Sequence, residues 1–401
     1  MSKVVIIDGV RTAIGKMGGA LSSIRPDDLL AHAYKSLLER TNFDPSHLTE
    51  VFSGCGNQGG EDNRDVARMA VLLSGMPKEV PGVTINRNCS SALDAVNIAA
   101  KTIVSGEGDF TIGSGVESMS RAPWSFLKPE RVPTTKPPKI WDTTVGWRYN
   151  NPALDSLYPI ISLGEGAEVI ADEMQISREE QDEFALESHR RAIEAINSQK
   201  FEKEICGVPV KQRRGDPIII DTDEHPRYRK TGAGYEIAVD MESLGKLPAV
   251  FKANGTVTAG NSSGINDGAA AVTVMSKDVA EKKGIQKLVS IRKWRKAIVG
   301  KYCNSTDNTL FPTKLDSDKS NGYYPSLFHH FYNLMALDME IVVSKTRNIR
   351  KKKLLNITTG AMISSMHSWD QRWYTPVVYS MGCIKLWNKH NLTKCNLSVK
   401  S

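Results

Sequence analysis

The sequence predicts an α/β protein, on three observations. Strand-like and helix-like segments alternate through the first 120 residues, the pattern of a mostly parallel sheet covered on both faces. One of the helices is apolar nearly all round and must be buried. A small, apolar, sheet-like stretch returns at 255–276, long after the alternation has stopped.

The elements follow in order. "KVVIID" (3–8) reads as a buried strand, and "PDDLLAHAYKSLLERT" (26–41) as a helix with Leu29, Leu30, Ala33, Leu37 and Leu38 on its apolar side. "TEVFSG" is a second strand, and "NRDVARMAVLLSG" a second helix that Gly75 closes. "PGVTIN" is a third strand, Ser90–Ser105 the all-apolar helix, and "DFTIGSG" a fourth strand. From 121 to about 250 prolines accumulate, and Ser177 with Glu180 forms a capping box ahead of a charged helix. That stretch reads as an inserted subdomain. The expected division is 1–120 plus 251–280, an insert at 121–250, and a remainder at 281–401.

Composition narrows the function. The 401 residues are 40% hydrophobic and 24% charged, as in a soluble globular protein. No apolar run is long enough for a membrane span, and "MSKVVIIDGVRTAIG" lacks the features of a secretory signal, so a cytoplasmic protein is expected. Six scattered cysteines form no disulfide framework and no metal-ligand spacing, which predicts free thiols and no metal. The net charge of +7 is lopsided: residues 295–401 hold 16 basic and 6 acidic residues, leaving 36 and 39 for the rest. The densest cluster, "RNIRKKK", fits a solvated face better than a nucleic-acid surface.

The chemistry centres on "NRNCSSALDAV", residues 86–96. Cys89 falls between a strand and the buried helix, where a helix N-terminus favours a thiolate. Position alone divides evenly between a nucleophile and an inert packing cysteine. "GCGNQG" fits a dinucleotide-binding pattern through Gly54, Gly56 and Gly59, but Glu79, about 20 residues on, precedes a strand rather than ending one.

Four segments in order resemble the thiolase family, the acyl-CoA acetyltransferases and 3-ketoacyl-CoA thiolases. They are "DGVRTAIGKMGGALS", "NRNCSSALDAVNIAA", "GSGVESMSRAPW" and "GTVTAGNSSGINDGAAAVTVMS", and they span residues 1–294. "SRAPW" with "DTTVGWRYNNP" is most similar to the ketoadipyl-CoA and long-chain-tolerant branch. The resemblance implies a layered α-β-α-β-α fold with a loop domain inserted in its first half. It also implies ping-pong acyl transfer through Cys89, with acyl-CoA and CoA as substrates, no tightly bound cofactor, and a dimer or tetramer. Ser263 and the Ala259–Gly260 backbone would line the pantetheine channel, and Arg227 would lie near the nucleotide end of CoA. "SLGEGAEV" (162–169) departs from the family's usual acyl-pocket sequence.

The larger departure lies beyond Trp294. The family's second half carries an Asn-Glu-Ala-Phe, a Gly-His-Pro and a Cys-x-Gly-x-Gly segment, which supply an oxyanion-hole asparagine, an activating histidine and a proton-shuttling cysteine. None occurs in residues 295–401: His329, His330, His367 and His390 are not followed by proline, and Cys383 sits in "MGCIKLW". Glycine is sparse there, with 4 residues against 27 in the first 294. Such a break fits a shifted reading frame, which independent sequencing of the 3′ end tests. The expectation is a thiolase-type acyltransferase with impaired turnover. The alternatives are an inactive CoA-binding relative and a ketoacyl synthase-like condensing enzyme.

Overall fold

The computed structural model describes residues 4–129, 137–158, 160–286, 289–296 and 337–343. The first elements are β1 (Val4–Arg11), β2 (Gly15–Lys16), α1 (Pro26–Thr41), β3 (Glu50–Gly54) and α2 (Val66–Leu73). Next come β4 (Gly82–Ile85), α3 (Ser91–Ser105) and β5 (Phe110–Ser118). The middle segment holds β6 (Trp124–Ser125), β7 (Trp141–Asp142), α4 (Pro152–Leu157), α5 (Leu163–Met174) and α6 (Arg178–Asn197). It continues with β8 (Val208–Val210), β9 (Ile218–Ile220), β10 (Tyr228–Thr231), β11 (Gly234–Ile237) and α7 (Met241–Gly245). Then follow β12 (Asn266–Ser276), α8 (Lys277–Lys282), β13 (Val289–Lys296) and β14 (Leu337–Val343).

The main sheet runs β14-β13-β1-β12-β5-β3-β4, with β2 paired to β12. This corrects the expectation of a mostly parallel sheet. Among the described residues, parallel pairing is confined to β4 with β3 and β3 with β5; β12 pairs antiparallel with both β5 and β1. The strand that enters from late in the chain therefore lies in the middle of the sheet. Local alternation of strand and helix carries no information about such a partner.

Side chains alternate across the strands and build two cores. Val5, Ile7, Val51 and Ile112 pack with Leu29, Leu30, Tyr34 and Leu37 of α1 and with Val66 and Ala70 of α2. Val4, Ile6, Phe52, Val272 and Val274 face Ala95, Val96, Ala99 and Ala100 of α3 on the other side. α1 takes proline at its first position and acidic Asp27 and Asp28 in its first turn, which suits the positive end of the helix. Two glycines bring α3 close to the sheet. A Cβ on Gly54 would lie 2.1 Å from the Ala92 nitrogen, and one on Gly113 2.7 Å from the Val96 Cα.

The middle segment is fastened to β1 through a buried ion triad. Arg11, 4% exposed, donates from Nε to Glu204 at 2.9 Å and from both Nη atoms to Asp223 at 2.7 and 2.9 Å. Burial opposes its charge, yet Asp223 and Glu204 outweigh that and hold the guanidinium more firmly protonated than usual. Backbone bonds reinforce the junction: Arg11 N–H donates to the Glu204 carbonyl, Cys206 N–H to the Arg11 carbonyl and Glu224 N–H to the Ile14 carbonyl, each at 2.8 Å. Replacing Arg11 with Met strands two buried carboxylates and is expected to cost about 3–5 kcal/mol of stability, measured by urea unfolding. A loss below about 1 kcal/mol, the size of a surface pair, would contradict this role.

Candidate active site

Cys89 stands in the turn between β4 and α3, one residue before the helix cap Ser90, and is half-buried. The turn is tightly tied. Asn88 takes φ of +48°, a left-handed conformation that asparagine tolerates better than most residues. Ser91 Oγ accepts from the Arg87 N–H at 2.8 Å and donates to the Asn88 carbonyl at 2.5 Å. Arg87 reaches forward to Asp94 at 2.5 Å. Asn86 spans outward: its Oδ1 accepts from Asn88 N–H at 2.9 Å, and its Nδ2 donates to the Gly56 carbonyl at 2.8 Å.

Behind that turn lies Glu117, on β5 and 5% exposed. Its carboxylate accepts from the Gly56 N–H at 2.8 Å, the Asn57 N–H at 3.1 Å and the Cys55 thiol at 3.7 Å. The backbone amides of "GCGNQG" that would cradle a pyrophosphate are thus directed at a carboxylate, and the dinucleotide reading fails. Glu117 and Cys55 were not singled out in the sequence, because the contact joins segments 60 residues apart.

The electrostatics run against the expectation of a depressed thiol. Burial pushes the Cys89 thiol above its ordinary value, and the Glu117 charge pushes the same way, while a backbone N–H opposes both. Because Cys89 precedes the helix cap, the helix end does not outweigh its burial. Glu117 itself is raised, chiefly by burial.

The other predicted residues form a second cluster. Arg227 donates from Nη2 to the Ala259 carbonyl at 2.9 Å. Gly260 packs against Leu244 and Leu247, where a Cβ would come within 2.7 Å of both. Ser263 is half-buried, and the buried hydroxyl of neighbouring Ser262 has no partner among the described residues. Next to it, Gly264 abuts His225, whose Nδ1 would lie 2.4 Å from an added Cβ. The loop is held from outside by Glu168 and Asp182. Glu168 accepts from Thr256 N–H at 2.9 Å and Val257 N–H at 2.7 Å; Asp182 accepts from Asn261 Nδ2 at 2.9 Å. Glu168 belongs to the divergent "SLGEGAEV" segment, which here serves as a scaffold for the loop.

Two histidines that sequence reasoning passed over join this cluster. His189 of α6 accepts at Nδ1 from the Arg227 N–H at 3.4 Å and lies 6.1 Å, ring to ring, from His225. Burial, then the charges of His225 and Arg227, lower His189 to about 4, and burial also lowers His225. Both are neutral near pH 7, so Arg227 carries the local positive charge. The "DEHPR" context was the available signal for His225; His189 in "ALESHRRA" offered none. His329, His330, His367, His390 and Cys383 lie outside the described residues.

Asp267, at the start of β12, ties the motifs together. It accepts from Ser120 N–H at 2.8 Å and Oγ at 2.5 Å, and Ser120 Oγ accepts from Gly18 N–H at 2.8 Å. Segments "GKMGG", "ESMSR" and "INDGA" therefore meet at one corner.

Residues 4–278 match the family model described as "Thiolase, N-terminal domain". A beta-ketoadipyl-CoA thiolase of Acinetobacter baylyi is 46% identical over 277 residues, 69% of this chain and 67% of the relative. A 3-oxoadipyl-CoA/3-oxo-5,6-dehydrosuberyl-CoA thiolase of Escherichia coli is 46% identical over 286 residues, 71% of this chain and 69% of the relative. The crystal structure of the Bacillus anthracis acetyl-CoA acetyltransferase superposes with a TM-score of 0.65 at 35% identity, covering 75% of this chain and 71% of that one. With residues 4–278 matched by the family model and relatives 46% identical over two thirds or more of both chains, the chain belongs to the thiolase family.

Proposed function

We propose that Cys89 is the acyl-accepting nucleophile of a 3-ketoacyl-CoA acyltransferase. The observation that carries this is the rigid placement of Cys89, on a turn fixed by Asn86, Arg87 and Ser91 ahead of the buried helix α3. In the forward direction the thiolate attacks the C3 carbonyl of the substrate. The C2–C3 bond breaks, C2 takes up a proton, and acetyl-CoA leaves. A second CoA, as thiolate, then displaces the acyl group from sulfur. The reverse sequence is a Claisen condensation. Arg227, Ala259, Gly260 and Ser263 form the CoA channel, with 121–250 as an inserted loop domain. The same reading makes the chain a cytosolic homo-oligomer that binds no tightly held cofactor.

Turnover is reduced in this chain. Cys89 is held mainly as the thiol, and the sequence beyond 294 lacks the motifs that supply the family's base, oxyanion asparagine and second cysteine. Loss of one oxyanion donor typically costs about 10²–10³ in rate, and loss of acid–base help about 10²–10⁴.

Two outcomes follow. Incubation with acetyl-CoA, digestion and mass spectrometry will find slow acetylation of the Cys89 peptide, absent in Cys89→Ser and released by added CoA. A folded, CoA-binding protein that never acquires the label would instead be an inactive CoA-binding relative. Alkylation of Cys89 by iodoacetamide will rise with pH through a midpoint above the ordinary thiol value of about 8.5. A midpoint below 7 would show that a base or a cation already activates the sulfur.

A further inference from the structure

Resting on the acyl-transfer reading, we propose that Arg148 binds a carboxylate at the far end of the acyl chain, so that the preferred substrates are CoA thioesters of dicarboxylic acids. Arg148 lies in "DTTVGWRYNNP", just after β7, and is half-buried. Among the described residues its hydrogen bonds go to two neutral oxygens at long range, Asn57 Oδ1 at 3.2 Å and the Thr143 carbonyl at 3.4 Å. Arg11, Arg25, Arg87, Arg121 and Arg178 each hold a carboxylate. Arg68, also half-buried and without one, donates closely to two carbonyls at 2.7 and 3.0 Å. Among the described residues, Arg148 alone in this set has a guanidinium fork without a matching partner.

Its position connects it to the nucleophile. Asn57, which holds Arg148, follows Gly56 directly, and Gly56 accepts from Asn86 in the Cys89 turn. A Cβ on Gly56 would lie 3.6 Å from the Asn88 carbonyl oxygen. Asn57 is itself locked, by Nδ2 to the Thr143 carbonyl at 3.0 Å and by its N–H to Glu117. Arg148 is therefore oriented by a rigid loop that also braces the Cys89 turn. A guanidinium so held offers paired N–H donors to a carboxylate, at little ordering cost. A methyl-ended acyl chain offers those donors nothing. Both relatives described above carry, by name, six- or eight-carbon dicarboxylic acyl groups, which fits this chemistry.

The test compares succinyl-CoA with butyryl-CoA, equal in chain length and differing in the terminal carboxylate. Calorimetric titration of the full chain as Cys89→Ala reads binding without acyl transfer, in Arg148 and Arg148→Met backgrounds. The Arg148 protein should bind succinyl-CoA more tightly than butyryl-CoA. Arg148→Met should weaken succinyl-CoA about tenfold or more, as for a charge-assisted hydrogen bond, and butyryl-CoA by less than about twofold. Arg148→Lys should recover part of the difference. Equal weakening of both thioesters, or of neither, overturns the assignment while leaving acyl transfer intact. Failure of either protein to bind butyryl-CoA overturns the parent reading itself. If Arg148→Met does not fold, Arg148→Gln keeps the side chain's length and polarity and faces the same criterion.

Discussion

The buried triad of Arg11, Glu204 and Asp223 is the contact on which the rest of the structure depends. It joins the first strand to a segment about 200 residues later, and it anchors the residues just after Asp223. Glu224, the next residue, accepts the amide of Ala20 at 2.9 Å. His225 then meets Gly264, and Arg227 meets Ala259. The "GTVTAGN" loop is thus assembled on a charge cluster that contributes only when complete, since an isolated buried charge is strongly unfavourable. That is a physical reason for a buried arginine at the end of β1.

Around Cys89 rigidity and reactivity pull in opposite directions. Gly54 and Gly113 let α3 approach the sheet closely behind the turn, while burial at Cys89 disfavours the thiolate. Glu117 braces the Gly56–Asn57 loop, yet its charge disfavours the thiolate. Such a site waits for a group that removes the proton or offsets the charge. In the family that group comes from the second half of the chain, which is where this sequence departs from its relatives.

Much of the architecture was legible in the sequence. The helix over 26–41 has the bounds that its apolar spacing and Pro26 imply, and the Ser177–Glu180 capping box opens α6 as read. Cys89 was legible because its surroundings, a strand and then an all-apolar helix, are local. What escaped were partnerships between distant segments. β12 enters the sheet between β1 and β5, and no local pattern announces it. Glu117 looks like one more residue of "GSGVESM" until its carboxylate is seen against two amides of another loop. Arg227 and Ala259, which belong to separate motifs, share a direct hydrogen bond; His189 has no such signature. The "SLGEGAEV" departure, which marked a change of acyl pocket in the sequence, turns out to place Glu168 beneath the "GTVTAGN" loop.

On the proposed function, residues 1–294 are a thiolase half whose chemistry lacks its complement. The most direct measurement is thiolytic turnover of a 3-ketoacyl-CoA by two proteins. One is the chain as it stands; the other joins residues 1–294 to the second half of the Acinetobacter baylyi relative. Turnover in the chimera should be at least about a hundredfold above that of the chain itself, the cost of one missing oxyanion donor. Equal rates in the two proteins, or a folded chimera that never turns over, would contradict the proposal.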